Sequence, residues 1–221
     1  MKSNKIERYS DQETYYLGHL EKQKKAINNS FSILGRHHKN LDDFVREQIK
    51  SLKNKSVILD AGCGLSTWPN DNIRKKYTIY GVDGEPDAIS ICKKLYGDKY
   101  YSVGNLYKLN YKSSTFDAVV MREVIEHFII PEKAVKEIYR ILKPGGVLIL
   151  TTPNYDSLLL HFIEHTYNRF FGGPCKPYRD DVHPSKFRPR TLRKLLGKFF
   201  LVKDLHTIDY GISQCCMVIK K

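Results

Sequence analysis

The chain is poor in the features that would place it in a membrane, a disulfide framework or a zinc site. No run approaches the roughly 20 consecutive apolar residues that span a bilayer. The opening Met1-Lys2-Ser3-Asn4-Lys5 leads into polar sequence rather than the apolar core of a signal segment. The five cysteines, Cys63, Cys92, Cys175, Cys215 and Cys216, are odd in number and contain no Cys-x-x-Cys pair. Reduced thiols in a soluble cytoplasmic protein are therefore expected. There is no internal repeat and no low-complexity tract.

Acidic residues are also under-represented, with 24 Asp and Glu against 37 Lys and Arg and a net charge of +13. An anionic partner such as nucleic acid, an acidic membrane surface or a phosphorylated metabolite would suit this excess, and a Lys-rich solvated surface accounts for it equally. The excess is uneven. Arg169, Lys176, Arg179, Lys186, Arg188, Arg190, Arg193, Lys194, Lys198 and Lys203 face only Asp180 and Asp181 within their span, so any anion-binding face should include that segment.

What is present is enough apolar content, 41% of 221 residues, for one α/β domain and a helical extension. Residues 1 to 53 read as an N-terminal helical cap. Leu41, Phe44, Val45, Ile49 and Leu52 recur at helical spacing, with Asn40 positioned to cap their helix after a loop from Ser30. Asp11 to Asn28 is a further candidate helix. From residue 54 to 221 short apolar runs alternate with amphipathic helices, the pattern of a doubly wound, mostly parallel sheet. Predicted strands are Val57–Leu59, Thr78–Val82, Lys99–Val103, Phe116–Met121 and Val147–Thr151, then two more near Phe199–Leu205 and Cys215–Ile219. Helices fall at Pro86–Tyr96, from Pro131 to Leu142, and at Thr191–Lys198. Residues 153–190, rich in Pro, Gly, His and aromatics, exceed an ordinary connection and read as an inserted lid.

In such a sheet the ligand sits at the carboxyl ends of the strands. The turn after the first strand is Asp60-Ala61-Gly62-Cys63-Gly64, whose glycines admit close backbone approach. Asp60 can accept from an ammonium group. Asp83, ending the second strand in Gly81-Val82-Asp83, can accept from both hydroxyls of a ribose or cap the next helix. Gly64-Leu65-Ser66-Thr67-Trp68-Pro69 lacks the third glycine of a dinucleotide fingerprint, which counts against NAD and implies a shortened or displaced first helix. Trp68 either belongs to the core or walls a pocket.

After the fourth strand comes Glu123-Val124-Ile125-Glu126-His127. On a helix this spacing sets both carboxylates and the imidazole on one face above the sheet. Glu123, Glu126 and His127, with His183 from the lid as a fourth ligand, form a candidate site for Mg²⁺ or Mn²⁺. His127 is the best-placed general base, ahead of His183, His161 and His165. Tyr15, Tyr16, His19, His37 and His38 can cover a substrate or cap the sheet. Phe162, Tyr167, Phe170, Phe171 and Tyr178 can line an acceptor pocket or pack on one another.

Val57-Ile58-Leu59-Asp60-Ala61-Gly62-Cys63-Gly64, Gly81-Val82-Asp83, Phe116-Asp117-Ala118-Val119-Val120 and Leu142-Lys143-Pro144-Gly145-Gly146 resemble, in order, the motifs of class I S-adenosylmethionine methyltransferases. The resemblance implies a Rossmann-like seven-stranded α/β fold and S-adenosylmethionine as methyl donor. It further implies a pocket formed by Asp60, Gly62, Cys63, Gly64, Asp83, Gly84, Asn105, Leu106 and Met121. Asp60, Gly62 and Gly64 would surround the methionine part, Asp83 the ribose, and Asn105 and Leu106 the adenine. Glu123 and His127 would be the catalytic pair. The Glu-x-x-Glu-His turn is similar to that of ubiquinone-pathway O-methyltransferases and of RNA 2′-O-methyltransferases that use a metal. Thr152-Pro153-Asn154, followed by the His183 segment, extends the second likeness. In the wider family the turn also occurs without a metal; Glu123 then contacts the cofactor or caps the turn, Glu126 faces solvent, and His127 packs or acts as base. The expected reaction is methyl transfer to oxygen, or less favourably nitrogen, of a small or lipid-like acceptor. RNA is the alternative acceptor, and a noncatalytic cofactor-binding subunit is the alternative class.

Overall fold

The computed structural model describes residues 33–162 and 183–221. The helix expected over Asp11–Asn28 and the lid residues 163–182, with His165, Arg169, Lys176 and Arg179, lie outside the described residues, as do Tyr15, Tyr16 and His19.

Seven strands form one sheet: β1 (Val57–Ala61), β2 (Thr78–Asp83), β3 (Tyr101–Val103), β4 (Phe116–Arg122), β5 (Leu142–Pro153), β6 (Phe200–Ile208) and β7 (Ser213–Lys220), in the order β3-β2-β1-β4-β5-β7-β6. The first five are parallel, and β7 runs antiparallel to both of its neighbours. Strand order reverses at β1, which pairs β2 through Leu59 and Tyr80 and β4 through Leu59 and Val119. The crevice beyond the carboxyl end of β1 is thus the place where a ligand fits an open α/β sheet.

Alternation along the central strands divides the core in two. Leu59 and Ala61 of β1 and Val119 and Met121 of β4 face one side. There they meet helix α4 (Pro131–Ile141) through Val135 and Ile138, and helix α6 (Pro189–Gly197) through Leu192 and Leu196. Ile58, Ala118 and Val120 face the other side, covered by helix α1 (Ile33–Ile49) through Leu41, Phe44, Val45 and Ile49. The apolar spacing that predicted this helix is therefore its sheet-facing stripe.

The helix begins earlier than its spacing suggests. Residues 33–40 are helical rather than loop, so Asn40 does not cap it. Its amide instead donates to the Asp209 carboxylate in the turn between β6 and β7. The expected short first helix of the sheet domain is α2 (Asp71–Lys76), six residues capped by Asn70, whose side chain accepts from the Ile73 N–H. Helix α3 (Pro86–Tyr96) buries Ala88, Ile89, Ile91 and Cys92 and leaves Leu95 exposed. Within the span read as a lid, Pro153 closes β5, residues 158–162 form a short helix α5 (Leu158–Phe162), and α6 starts at Pro189. No helix among the described residues is long and apolar enough to cross a membrane.

Candidate active site

The loop after β1 is fixed from two sides. Gly62 and Cys63 donate their N–H groups to the Val82 carbonyl at 2.8 and 3.1 Å. The Asp83 carboxylate accepts from the Gly64 N–H at 2.7 Å and, through its other oxygen, from the Glu85 N–H at 3.0 Å. Each Asp83 oxygen keeps a lone pair for an outside donor. Gly62 and Gly64 both have positive φ, 74° and 48°, but for different ends. A Cβ on Gly62 would lie 2.6 Å from a Val124 methyl, whereas one on Gly64 would meet nothing within 4 Å. Gly62 thus lets the loop pack against the turn after β4, and Gly64 leaves open space above it.

Around the loop, Cys63 is buried, and the Cys92 thiol donates to the Gly64 carbonyl at 3.3 Å. A hydrogen bond with Cys92, together with burial, pushes the Cys63 thiol far up. Both thiols are free. A Cβ on Gly84 would meet open space like one on Gly64. Asn105 is exposed, its side-chain oxygen accepting from the Tyr107 N–H, while Leu106 is 6% exposed. Met121 is fully buried in the core on the α4 face, and its side chain offers no surface to a ligand. Trp68 is core, packed on the α1 side of the sheet.

Asp60 sits under the loop at 2% exposure and accepts from the Ser66 hydroxyl at 2.8 Å. Burial raises its carboxyl to about 6, opposed by Trp68 and Ser66 and by the charges of Arg122 and Arg74. Arg74 holds the same loop together: it donates to the carbonyls of Pro69 and Ser66 and to the Tyr101 hydroxyl, and stacks on Tyr96 at 3.6 Å.

The turn after β4 differs from the expected helical face. Only Ile125–His127 form a single 3-10 turn, and Glu123, with φ 55°, lies outside it. The left-handed backbone at Glu123 turns its side chain away from the line of Glu126 and His127. Glu123 Oε1 is sequestered without a hydrogen-bond partner among the described residues. Burial raises the Glu123 carboxyl against the opposing effect of His37.

Glu126 is buried at 1% exposure rather than facing solvent. Its Oε2 accepts from the Thr152 hydroxyl at 2.8 Å. Burial and the neighbouring Glu123 charge raise it well above the usual carboxylate range. His127 Nε2 stands 4.0 Å from Glu126 Oε1, and the His127 and His183 rings meet edge-on with centroids 4.7 Å apart.

His183 is buried, and its Nδ1 shares a 2.6 Å hydrogen bond with the Tyr155 hydroxyl. Burial, with the charges of His127 and Lys186, lowers it to about 4, so the ring is neutral at physiological pH. The segment after it is clipped down: the Ser185 N–H donates to the Glu126 carbonyl and the Ser185 hydroxyl to the Phe128 carbonyl. One ligand atom each from Glu126, His127 and His183 lies within 4.8 Å of the others, and Glu123 is not of this group. The predicted four-ligand set is thus a compact trio with Glu123 behind it.

Three partners were not singled out as site residues from the sequence. Tyr155 and Thr152, which hold His183 and Glu126, lie in the stretch between β5 and the lid where only the Thr-Pro-Asn turn gave a signal. Arg122, at the end of β4, reads in sequence as an ordinary strand terminus. His37, offered only as a possible substrate cover, sits against Asp209 and 3.3 Å from the Ser213 hydroxyl. His161 is not of that trio and bonds through Nε2 to the Tyr155 carbonyl at 3.2 Å.

Residues 59–150 match the family profile of a methyltransferase domain. That match spans 92 of the 221 residues and agrees with the resemblance to class I S-adenosylmethionine methyltransferases. An uncharacterised protein of Methanocaldococcus jannaschii is 31% identical over 135 residues, 58% of this chain and 57% of that protein. A mitochondrial ubiquinone biosynthesis O-methyltransferase of Rattus norvegicus is 37% identical over 109 residues, 46% of this chain and 32% of that protein. The chain therefore spans from about a third to just over half the length of these relatives. Among solved structures, the magnesium protoporphyrin IX methyltransferase of Synechocystis, with bound S-adenosylhomocysteine, superposes with a TM-score of 0.69 at 15% identity. That superposition covers 96% of this chain and all of that one, and shows the shared fold.

Proposed function

We propose that the protein transfers a methyl group from S-adenosylmethionine to an oxygen of a small or lipid-like acceptor. The observation that carries this reading is the contact of Gly62 with Val124. It sets the donor loop directly against the turn that bears Glu126 and His127. The donor's sulfonium methyl is already electrophilic, so holding acceptor and methyl in line supplies most of the rate. Asp60 receives the donor's ammonium group and Asp83 its ribose hydroxyls. His127, half-exposed at the mouth, takes the acceptor's proton on a ring nitrogen, and the Glu126 carboxylate 4.0 Å away stabilises the resulting imidazolium.

An apolar acceptor suits the rim. Ile129 and Leu158 are 80% and 86% exposed on the two segments that frame the cluster, with Ile130 and Phe162 beside them. The rat relative named above and a malonyl-[acyl-carrier protein] O-methyltransferase of Enterobacter lignolyticus, 26% identical over 144 residues covering 61% of this chain and 56% of that protein, carry O-methyltransferase names. Calorimetric titration with S-adenosylhomocysteine, followed by labelled methyl transfer to a panel of phenols, tests the proposal. Saturable binding and label on a phenol oxygen are expected. No binding would overturn the reading, and binding without transfer to any acceptor would favour a noncatalytic subunit.

The trio of Glu126, His127 and His183 supports a second, metal-assisted reading. The donor set suits a divalent cation: Glu126 is a buried carboxyl that accepts from the Thr152 hydroxyl, and the His183 ring is oriented by the hydrogen bond between its Nδ1 and the Tyr155 hydroxyl. A cation there would lower the proton affinity of the acceptor hydroxyl and orient it. Chelation followed by Mg²⁺ or Mn²⁺ add-back reads this out. Activity lost and restored, with Glu126→Ala unresponsive, is expected under the metal reading, and activity unchanged by chelation rules it out.

A further inference from the structure

We infer that Arg122 is the residue that receives the carboxylate of the donor's methionine part. The inference rests on the methyl-donor site proposed above. Arg122 ends β4 on the face that also carries Asp60 two strand positions back on the neighbouring β1, since Asp60 pairs with Val120. Its charge is felt by Asp60, Asp42 and Glu123. A methionine moiety carries an ammonium and a carboxylate on one carbon. A ligand whose ammonium sits on Asp60 must bring its carboxylate into a pocket that already holds three carboxyl groups, and only a cation there makes that favourable.

The other arginines near the loop are spent. Arg74 is committed to two carbonyls, a hydroxyl and a tyrosine ring. Arg46 donates to the Trp68 carbonyl at 2.8 Å and to Asp43 at 3.0 Å. Among the described residues, Arg122 makes two polar contacts, both long: 3.4 Å to the Thr67 hydroxyl of the donor loop and 3.3 Å to Asp42 Oδ1 on α1. A guanidinium has five donors in a planar fork suited to a carboxylate. At 17% side-chain exposure, this one is enclosed enough to bind strongly and open enough to be reached. Thr67 ties it to the loop that cradles the donor, and Asp42 ties it to α1, so the two weak contacts hold the fork in place without saturating it.

The test compares S-adenosylhomocysteine with its decarboxylated analogue by calorimetry, in wild type and in Arg122→Gln. Charge-assisted hydrogen bonds of this kind shift affinity by about 10- to 100-fold. Wild type should prefer the carboxylate-bearing ligand by that factor, and the variant should bind both with similar, weaker affinity. Because Arg122→Gln leaves the buried Asp42 with Arg46, at 3.4 Å, as its remaining cation among the described residues, the Asp42→Asn/Arg122→Gln pair is measured alongside it and should lose the preference in the same way. Preference retained in either folded variant overturns the inference while leaving the donor site intact. Failure of wild type to bind either ligand would instead sink the donor site itself.

Discussion

At the scale of single residues, two glycines of one loop have separable duties. Gly62→Ala places a methyl 2.6 Å from Val124 at a positive φ, a steric conflict that should lower stability by about 1–3 kcal/mol. Gly64→Ala adds its methyl in open space, so it should cost about 1 kcal/mol of backbone strain and show its main effect as weakened S-adenosylhomocysteine binding. Urea denaturation and calorimetry on both variants separate the two, and equal stability losses would refute the assignment. Asp60 adds a pH signature. Its carboxyl rises from 3.8 to about 6 on folding, so the folded chain holds that proton more tightly than the unfolded one. The stabilisation is complete below about pH 4, is lost as pH climbs through about 6, and amounts to ~3 kcal/mol in all. Thermal melts of wild type should therefore lose ground to Asp60→Asn across that window, and a constant difference would contradict it.

At the scale of elements, the strands, the two glycine-bearing turns and the apolar stripe of α1 were legible because each is written in local spacing. The turn after β4 was not. Glu-x-x-Glu-His has helical spacing, but Glu123 adopts φ 55° and only three residues coil. Local pattern carries no trace of the Thr151 carbonyl and hydroxyl that accept from the Glu123 N–H, or of the Thr152 hydroxyl that donates to Glu126. The partner of α1 was hidden for the same reason. Asp209 and Tyr210 hold consecutive left-handed conformations in the β6–β7 turn, and the Asp209 carboxylate binds His37 and Asn40 from more than 160 residues away in sequence. Asp209→Ala removes both bonds and a residue type that tolerates positive φ. It should destabilise the protein by about 2–4 kcal/mol, read from the urea midpoint, and a change below about 0.5 kcal/mol would show that α1 is held by its apolar face alone.

At the scale of the whole molecule, the net charge of +13 and the nature of the acceptor can be set against each other. Lys186, Arg188, Arg190, Arg193, Lys194 and Lys198 cluster on and before α6, beside the segment that delivers His183. An RNA acceptor bound by such a surface would release counterions from every phosphate it neutralised, and its affinity would fall steeply, by about 10³–10⁵ between 50 and 200 mM salt for six to ten contacts. A neutral phenolic or lipid-like acceptor seated against Ile129, Leu158 and Phe162 has no counterions to release, and raising the salt strengthens apolar burial slightly if it does anything. The proposed reaction therefore predicts a kcat/KM for a phenol that varies less than about threefold over that range. A steep negative slope, measured with the same enzyme preparation and RNA as acceptor, would move the methyl acceptor from the apolar rim to the basic face.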